Sequence, residues 1–353
     1  MFPPIVDFFG KIPREQNIST RHGVLSSRLY RDDRGTVGMA LWVGDLGGSE
    51  PVLSRLHSSC FTSEGMCGLD CDCVAQLDFA IDVICKEKRG VIFYLLQEGR
   101  GAGLPNKARD RSIVQQSGGQ IDTYGAYAKL GLPPDPRTYG IIKPMCTDLG
   151  IVAPLTLMTN NPEKIGALKS AGLELVAIEH VQAPSRYNAQ YIAAKAKFGH
   201  SLVSPEISSA TLPPMAHLAT PPAERLGRFV WAASYLLPIS VSGGPAWFRA
   251  TSYIHEPSGH DRMILSYRSR NATEVRHLFR EELVERIAGN GPEAMRYRDA
   301  LHRIVNRGAG AVLAVPADPD LMIDEPGPSA EDDLALLHAD GVARGAETYE
   351  EVA

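Results

Sequence analysis

Three cysteines, Cys60, Cys71 and Cys73, stand in a Cys-x10-Cys-x-Cys spacing within the stretch Cys60-Phe-Thr-Ser-Glu-Gly-Met-Cys67-Gly-Leu-Asp-Cys71-Asp-Cys73. The spacing suits one metal ion with an open coordination position. Side chains two apart on an extended segment point the same way, so Cys71 and Cys73 are expected to grip an ion from one strand. Cys60 would close from the end of the preceding strand. Three soft thiolates select zinc, and a fourth position left to water marks a catalytic zinc, because the ion lowers that water's pKa to roughly 7.

Four of the six cysteines fall in this one stretch. A disulfide framework belongs instead to short secreted chains with spread cysteines. Cys67 is left off the metal, and Cys85 and Cys146, in apolar runs, read as core.

The chain has 353 residues, 44% of them hydrophobic and 22% charged, an ordinary globular composition with room for two domains. A net charge of −5 argues against bulk attraction to nucleic acid polymers or anionic membranes, so phosphate binding must come from a local cluster. The opening Met1-Phe-Pro-Pro-Ile-Val-Asp has no basic segment followed by an apolar one, and no run of ~18 apolar residues occurs. The expected location is the cytoplasm.

From Thr36 to about Val176, apolar β-rich runs alternate with helical patterns: Gly38 to Val43, then Val74 to Lys88, then Gly90 to Leu96. That alternation predicts a layered α/β (α+β) domain over residues 1–204. Residues 205–222, rich in Pro, Ser and Thr, read as a linker, residues 223–328 as a smaller C-terminal α/β domain, and 329–353 as an acidic tail. The stretch from Gly244 to Tyr267 has the strand, polar turn, strand rhythm of Gly23 to Val43 and reads as a degenerate partial repeat. Residues 20–200 are expected to fold and load metal without the C-terminal part.

Three segments bear on phosphate. Gln97-Glu98-Gly99-Arg100-Gly101-Ala-Gly103-Leu-Pro-Asn106-Lys107-Ala-Arg109-Asp-Arg111 interleaves glycines with basic side chains. Glycines let backbone N–H groups approach an anion, and arginine forks match phosphate oxygens in pairs. Leu155 to Lys164 reads as a strand ending in an Asn cap with Pro162 in the first helical turn, which leaves donors and a positive dipole end above the strand. Pro133, Pro134 and Pro136 stiffen a turn that presents Asp135 and Arg137 two residues apart.

In order and spacing, Arg55-Leu-His57-Ser58-Ser-Cys60, Cys71-Asp-Cys73 with Gln76, Gln97-Glu98-Gly99-Arg100-Gly-x-Gly103, Asn106-Lys107-x-Arg109, Asp135-x-Arg137-x-Tyr139 and Thr159-Asn160-Asn161-Pro162-x-Lys164 resemble GTP cyclohydrolase II, the first enzyme of riboflavin synthesis. The resemblance covers about residues 20–200. It implies a cytoplasmic, homodimeric zinc hydrolase that uses magnesium with the nucleotide, opens the imidazole ring of GTP, and releases formate and pyrophosphate. By position, Cys60, Cys71 and Cys73 hold the zinc, Asp135 accepts the proton, and Arg137 is the residue proposed to act on the α-phosphate, for which charge stabilisation is the physical role. Arg55, His57, Ser58, Gln76, Glu98, Gly99, Arg100, Thr123, Thr159 and Lys164 line the base, ribose and phosphates in the same matching.

The chain departs from the family at the catalytic tyrosine, replaced by Arg111, at a glutamate replaced by Ser59, and in Asp122-Thr-Tyr-Gly125-Ala-Tyr127, where the family reads Asp-Thr-Val-Glu-Ala-Asn. Ring opening is therefore expected to stall at a formylated product. The alternatives are a cyclohydrolase for another nucleotide, in specialised or pyrimidine metabolism, and a non-catalytic nucleotide-binding regulator. A zinc deaminase is excluded by the absence of Pro-Cys-x-x-Cys.

Overall fold

The computed structural model describes residues 15–180, 182–201, 210–211, 213–218, 224–267, 275–280, 283–289, 291–316 and 328–339. The opening heptapeptide, most of the linker and the tail beyond residue 339 lie outside them. The described residues form two compact units. The first draws on residues up to 60, 72–101 and 135–201, the second on 61–71, 102–134 and those from 210 onward.

The first unit is built on strands β1 (Glu15–Thr20), β2 (Gly23–Arg31), β3 (Val37–Val43), β4 (Val52–Ser58), β5 (Gly90–Leu95), β6 (Leu155–Met158) and β7 (Leu175–Ile178), in the sheet order β1-β2-β3-β5-β4-β6-β7. β1, β2, β3 and β5 are antiparallel neighbours, while β5, β4, β6 and β7 run parallel. β5 reads Gly-Val-Ile-Phe-Tyr-Leu with every residue buried, as expected of a strand covered on both faces. One face packs Val91, Phe93, Leu56, Leu157 and Met145 into a continuous apolar core, each such side chain contributing about 1.5–3 kcal/mol. The helices of this unit are α2 (Cys73–Glu87), α5 (Ile142–Asp148), α6 (Pro162–Ser170) and α7 (Ala189–Lys197).

The second unit contains α1 (Phe61–Glu64), α3 (Leu104–Gln116) and α4 (Thr123–Lys129). To these it adds β8 (Arg225–Leu226), β9 (Phe229–Ile239), β10 (Ala246–His255), β11 (Asp261–Tyr267), β12 (Val275–Arg280), α8 (Leu283–Ala288), α9 (Pro292–Arg307), β13 (Gly310–Val315) and α10 (Ala330–Ala339). Its sheet runs β12-β13-β11-β10-β9-β8. Phe61, Met66, Leu104 and Ala108 share one apolar cluster with Tyr235, Leu237, Phe248, Phe279 and Tyr297, so the C-terminal strands share their core with helices from the middle of the chain. Among the described residues no helix is long and apolar enough to cross a membrane.

Candidate active site

Parallel strands deliver their loops to one edge of a sheet, and ligands in open α/β sheets sit outside the carboxyl ends where the chain leaves adjacent strands in opposite directions. Here β4 leads to β5 on one side and β6 leads to β7 on the other. Arg55, His57 and Ser58 lie at the end of β4, Glu98, Gly99 and Arg100 follow β5, and Thr159 and Lys164 follow β6. The sheet therefore brings all eight of these expected residues to one edge.

The cysteine stretch leaves from this edge. Cys60, Cys71 and Cys73 bring their sulfurs within 4.8 Å of one another, with Cys60 and Cys71 buried, and among the described residues they are the one such cluster of metal-ligating groups. Soft sulfur donors at mutual reach fit a zinc ion, and Cys67 is not part of the cluster. The expected single strand carrying Cys71 and Cys73 is not what forms. Cys71 lies in a bend and Cys73 is the first residue of α2, because Asp72 takes the helix-capping position. The helix dipole favours negative charge at that first residue. Of the two thiols read as core, Cys146 is buried and Cys85 is half-buried.

Asp72, between the two ligand cysteines, anchors a chain of polar groups that joins the expected Arg55 and Gln76 to Lys195 and His180, which, like Asp72, the sequence did not single out. Its carboxylate accepts hydrogen bonds from Lys195 Nζ at 2.8 Å and Gln76 Nε2 at 2.6 Å. Arg55 donates to the Gln76 amide oxygen and to the Met158 carbonyl at 2.9 Å. Burial alone would raise the Asp72 carboxyl, but the Lys195 ammonium outweighs it and holds the group below the usual range. Burial pulls Arg55 down to about 10. His180 Nε2 donates to the Gln76 carbonyl at 3.1 Å, and burial together with the Arg55 charge lowers it to about 3, so this imidazole is neutral. The available signal for Lys195 was Tyr191 four residues earlier on α7, over whose ring the ammonium lies at 4.7 Å.

Asp135 and Arg137 do form a rigid pair. Arg137 Nε donates to Asp135 Oδ1 at 2.7 Å, a second guanidinium nitrogen reaches Oδ2, and the third reaches Ser58 Oγ at 3.3 Å. Burial opposes ionisation of both groups, yet the fork-to-carboxylate pairing prevails, so Asp135 is held below and Arg137 above its ordinary value. Gln97 ties this turn to the loop after β5 through the Thr138 backbone, at 2.7 and 3.1 Å. In that loop Gly99 N–H donates to Glu98 Oε1 at 2.9 Å, and Arg100 takes φ of 55° between two glycines that turn the same way. His57 stacks on Tyr94 with centroids 5.5 Å apart.

After β6 the expected cap forms: Asn161 Oδ1 accepts from Glu163 N–H at 2.8 Å, and Thr159 Oγ1 accepts from Asn161 N–H at 3.1 Å. Lys164 donates to the Leu56 carbonyl at 2.8 Å. Burial, then the Arg137 and Arg55 charges, push this ammonium well below its ordinary value. Buried Arg55 and Lys164 and half-buried Arg137 and Lys195 thus lie in the same region as the carboxylates of buried Asp72 and half-buried Asp135, with Glu163 beside Asp135.

Thr123 and Arg111 belong to the second unit. Thr123, at the start of α4, donates to Asp110 Oδ2 at 3.0 Å. Arg111 Nε donates to Asp70 Oδ2 at 2.8 Å, next to Cys71, and its Nη1 lies 3.5 Å from Asp110 Oδ2. Tyr127, another departure, is buried.

Residues 11–181 match the family model described as GTP cyclohydrolase II. The chain is 43% identical over 196 residues to the GTP cyclohydrolase-2 of Azotobacter vinelandii, an alignment covering 55% of this chain and 90% of the relative. The corresponding protein of Saccharophagus degradans is 43% identical over 192 residues, covering 54% of this chain and 92% of the relative. That of Pseudomonas paraeruginosa is 42% identical over 196 residues, covering 55% and 91%.

Proposed function

This chain belongs to the GTP cyclohydrolase II family, and on that premise we propose that it opens the imidazole ring of GTP by zinc-assisted hydrolysis. The observation that carries the proposal is the cluster of Cys60, Cys71 and Cys73 on the sheet edge that also gathers the cationic residues. These three thiolates would hold zinc, which when bound supplies hydroxide at neutral pH. Asp135, kept ionised by Arg137, is the proton acceptor. Arg137 spreads positive charge where the phosphates carry negative charge, and its paired hydrogen bonds to Asp135 fix its plane. Arg55, Lys164 and the loop Glu98-Gly99-Arg100 orient the nucleotide, with magnesium accompanying the triphosphate. His57, Ser58, Gln76 and Thr159 complete the nucleotide contacts, to which the family resemblance adds Thr123. The resemblance puts the reaction at the start of riboflavin synthesis.

The finer reading concerns the product. A guanidinium does not shuttle protons near neutral pH, and Arg111 is held by Asp70, so the step that a phenol would serve is missing here. The ring-opened nucleotide then keeps its formyl group. Mass spectrometry of the GTP reaction is expected to find that formylated product. Stoichiometric formate would place full cyclohydrolase chemistry on other groups, and unaltered GTP under zinc-loaded conditions would overturn the activity itself.

A further inference from the structure

The two sheets share one topology. β1-β2-β3-β5-β4 and β9-β10-β11-β13-β12 have the same order, with three antiparallel pairings followed by one parallel. A row can be traced across four strands in each sheet, Leu29, Met39, Tyr94, His57 in one and Ser252, Met263, Ala314, Phe279 in the other, with the first hairpin shifted by one residue, since Arg31 pairs with Val37 and Ile254 with Asp261. Five residues join β2 to β3, and five join β10 to β11. The crossover helices α2 and α9 both end on a left-handed residue, Lys88 and Gly308, and the strands after them both begin on a glycine at φ 159°. What differs is the chemistry. No cysteine follows Cys146, and Phe279 stands where β4 has His57.

The second sheet spends its free edge on the cysteine loop. Among the described residues β8 pairs only with Phe229 and Val230 of β9, and from Leu236 onward that edge takes its hydrogen-bond partners from elsewhere in the unit. Gln115 on α3 bonds both the N–H and the carbonyl of Leu236, at 2.8 and 2.7 Å. The loop takes the rest: Leu69 N–H donates to Pro238 at 2.8 Å, Gly68 bridges Ile239, and Ser240 N–H donates to Cys67 at 3.0 Å. Tyr297 on α9, fully buried, donates its hydroxyl to the Met66 carbonyl at 3.0 Å. Gly68 is required by space, since a Cβ there would lie 2.4 Å from the Thr62 carbonyl oxygen.

We propose that the C-terminal layer is a second copy of the β1–β5 layer that has given up its own site, and that its edge strand splints the loop ending in Cys71, with Tyr297 and Gly68 as positioning residues. The alignments to the relatives cited above cover 54–55% of this chain and 90–92% of each relative, and the family match ends at residue 181, before the strands of the splint begin. The inference rests on the zinc reading. It is tested by following zinc release from the full-length holoprotein into a chromophoric chelator, well below the unfolding temperature. Tyr297→Phe removes one hydroxyl and leaves the ring, and is expected to speed release roughly tenfold at unchanged circular dichroism, because the Met66 carbonyl loses its donor. Gly68→Ala is expected to speed it further. Leu313→Ala, in a separate apolar cluster that contains no residue of the loop, is the control and should leave the release rate alone while lowering thermal stability. Release unchanged in Tyr297→Phe, or equally fast in the control, overturns the splint, and wild-type protein that retains no zinc overturns the metal reading beneath it.

Discussion

Replacing Arg111 by methionine isolates a charge that the sequence alone would assign to phosphate and that the structure spends on the protein. Arg111 is 8% exposed, and the side chains of its partners Asp70 and Asp110 are 13% and 4% exposed. Removing one member of a buried ion pair costs roughly 3–5 kcal/mol, because the other charge is left unpaired. Asp70 lies toward the wetter end of that range of burial, so about 3 kcal/mol is expected for Arg111→Met. Asp70→Asn should cost about 2 kcal/mol, since Asp110 still accompanies the arginine. In Arg111→Met/Asp70→Asn the orphaned carboxylate is gone, and the sum should fall short of additivity by about 2 kcal/mol. The assay is urea unfolding in a Trp42→Phe background, where the remaining tryptophans, Trp231 and Trp247, report on the second unit. A coupling energy below about 0.5 kcal/mol would refute the pairing and return Arg111 to the pool of ligand-binding cations.

Asp135→Asn and Arg137→Ala should keep zinc, by elemental analysis, while slowing turnover ~100-fold or more for the proton acceptor and by roughly 3 kcal/mol of barrier for the charge partner; near-normal rates in both would make the turn structural. His180 binds its proton at about 3 when folded and at 6.5 when unfolded, so its contribution is complete above pH 6.5 and is lost as pH falls. Between pH 7 and 5 that is about 2 kcal/mol, which His180→Gln should remove from the pH dependence of the urea midpoint, and an unchanged profile would refute the neutral buried imidazole. Truncation after Pro205 takes β8 to β13 away from Phe61, Met66, Leu104 and Ala108, and should give an aggregating product with weakened metal retention; a monodisperse, zinc-loaded fragment would show that those side chains find other cover.

The sequence made the site's short-range parts legible because each is a local pattern. The Asn161 cap with Pro162, the all-buried β5 and the proline-stiffened Asp135–Arg137 turn depend on neighbours within a few residues, and each forms as read. Alternation in the sequence places Cys71 and Cys73 on one strand, whereas the chain starts a helix at Cys73 with Asp72 at its cap. In the sequence Asp72 is only the residue between two cysteines, and its partner Lys195, 123 residues away, makes it a buried anchor. The shared core of the second unit was equally hidden. Phe61, Met66, Leu104 and Ala108 contribute one or two apolar residues per segment, too few to register as periodicity.

The central claim, that a Cys60–Cys71–Cys73 zinc site opens the imidazole ring of GTP, is tested most directly by carbon-13 NMR on GTP labelled at C8. With zinc-loaded protein the ring carbon signal should give way to a formamide carbon, with little free formate, and Cys71→Ser should leave the ring signal untouched. A ring signal that persists with fully loaded wild-type protein, or that disappears equally fast with Cys71→Ser, would contradict the account.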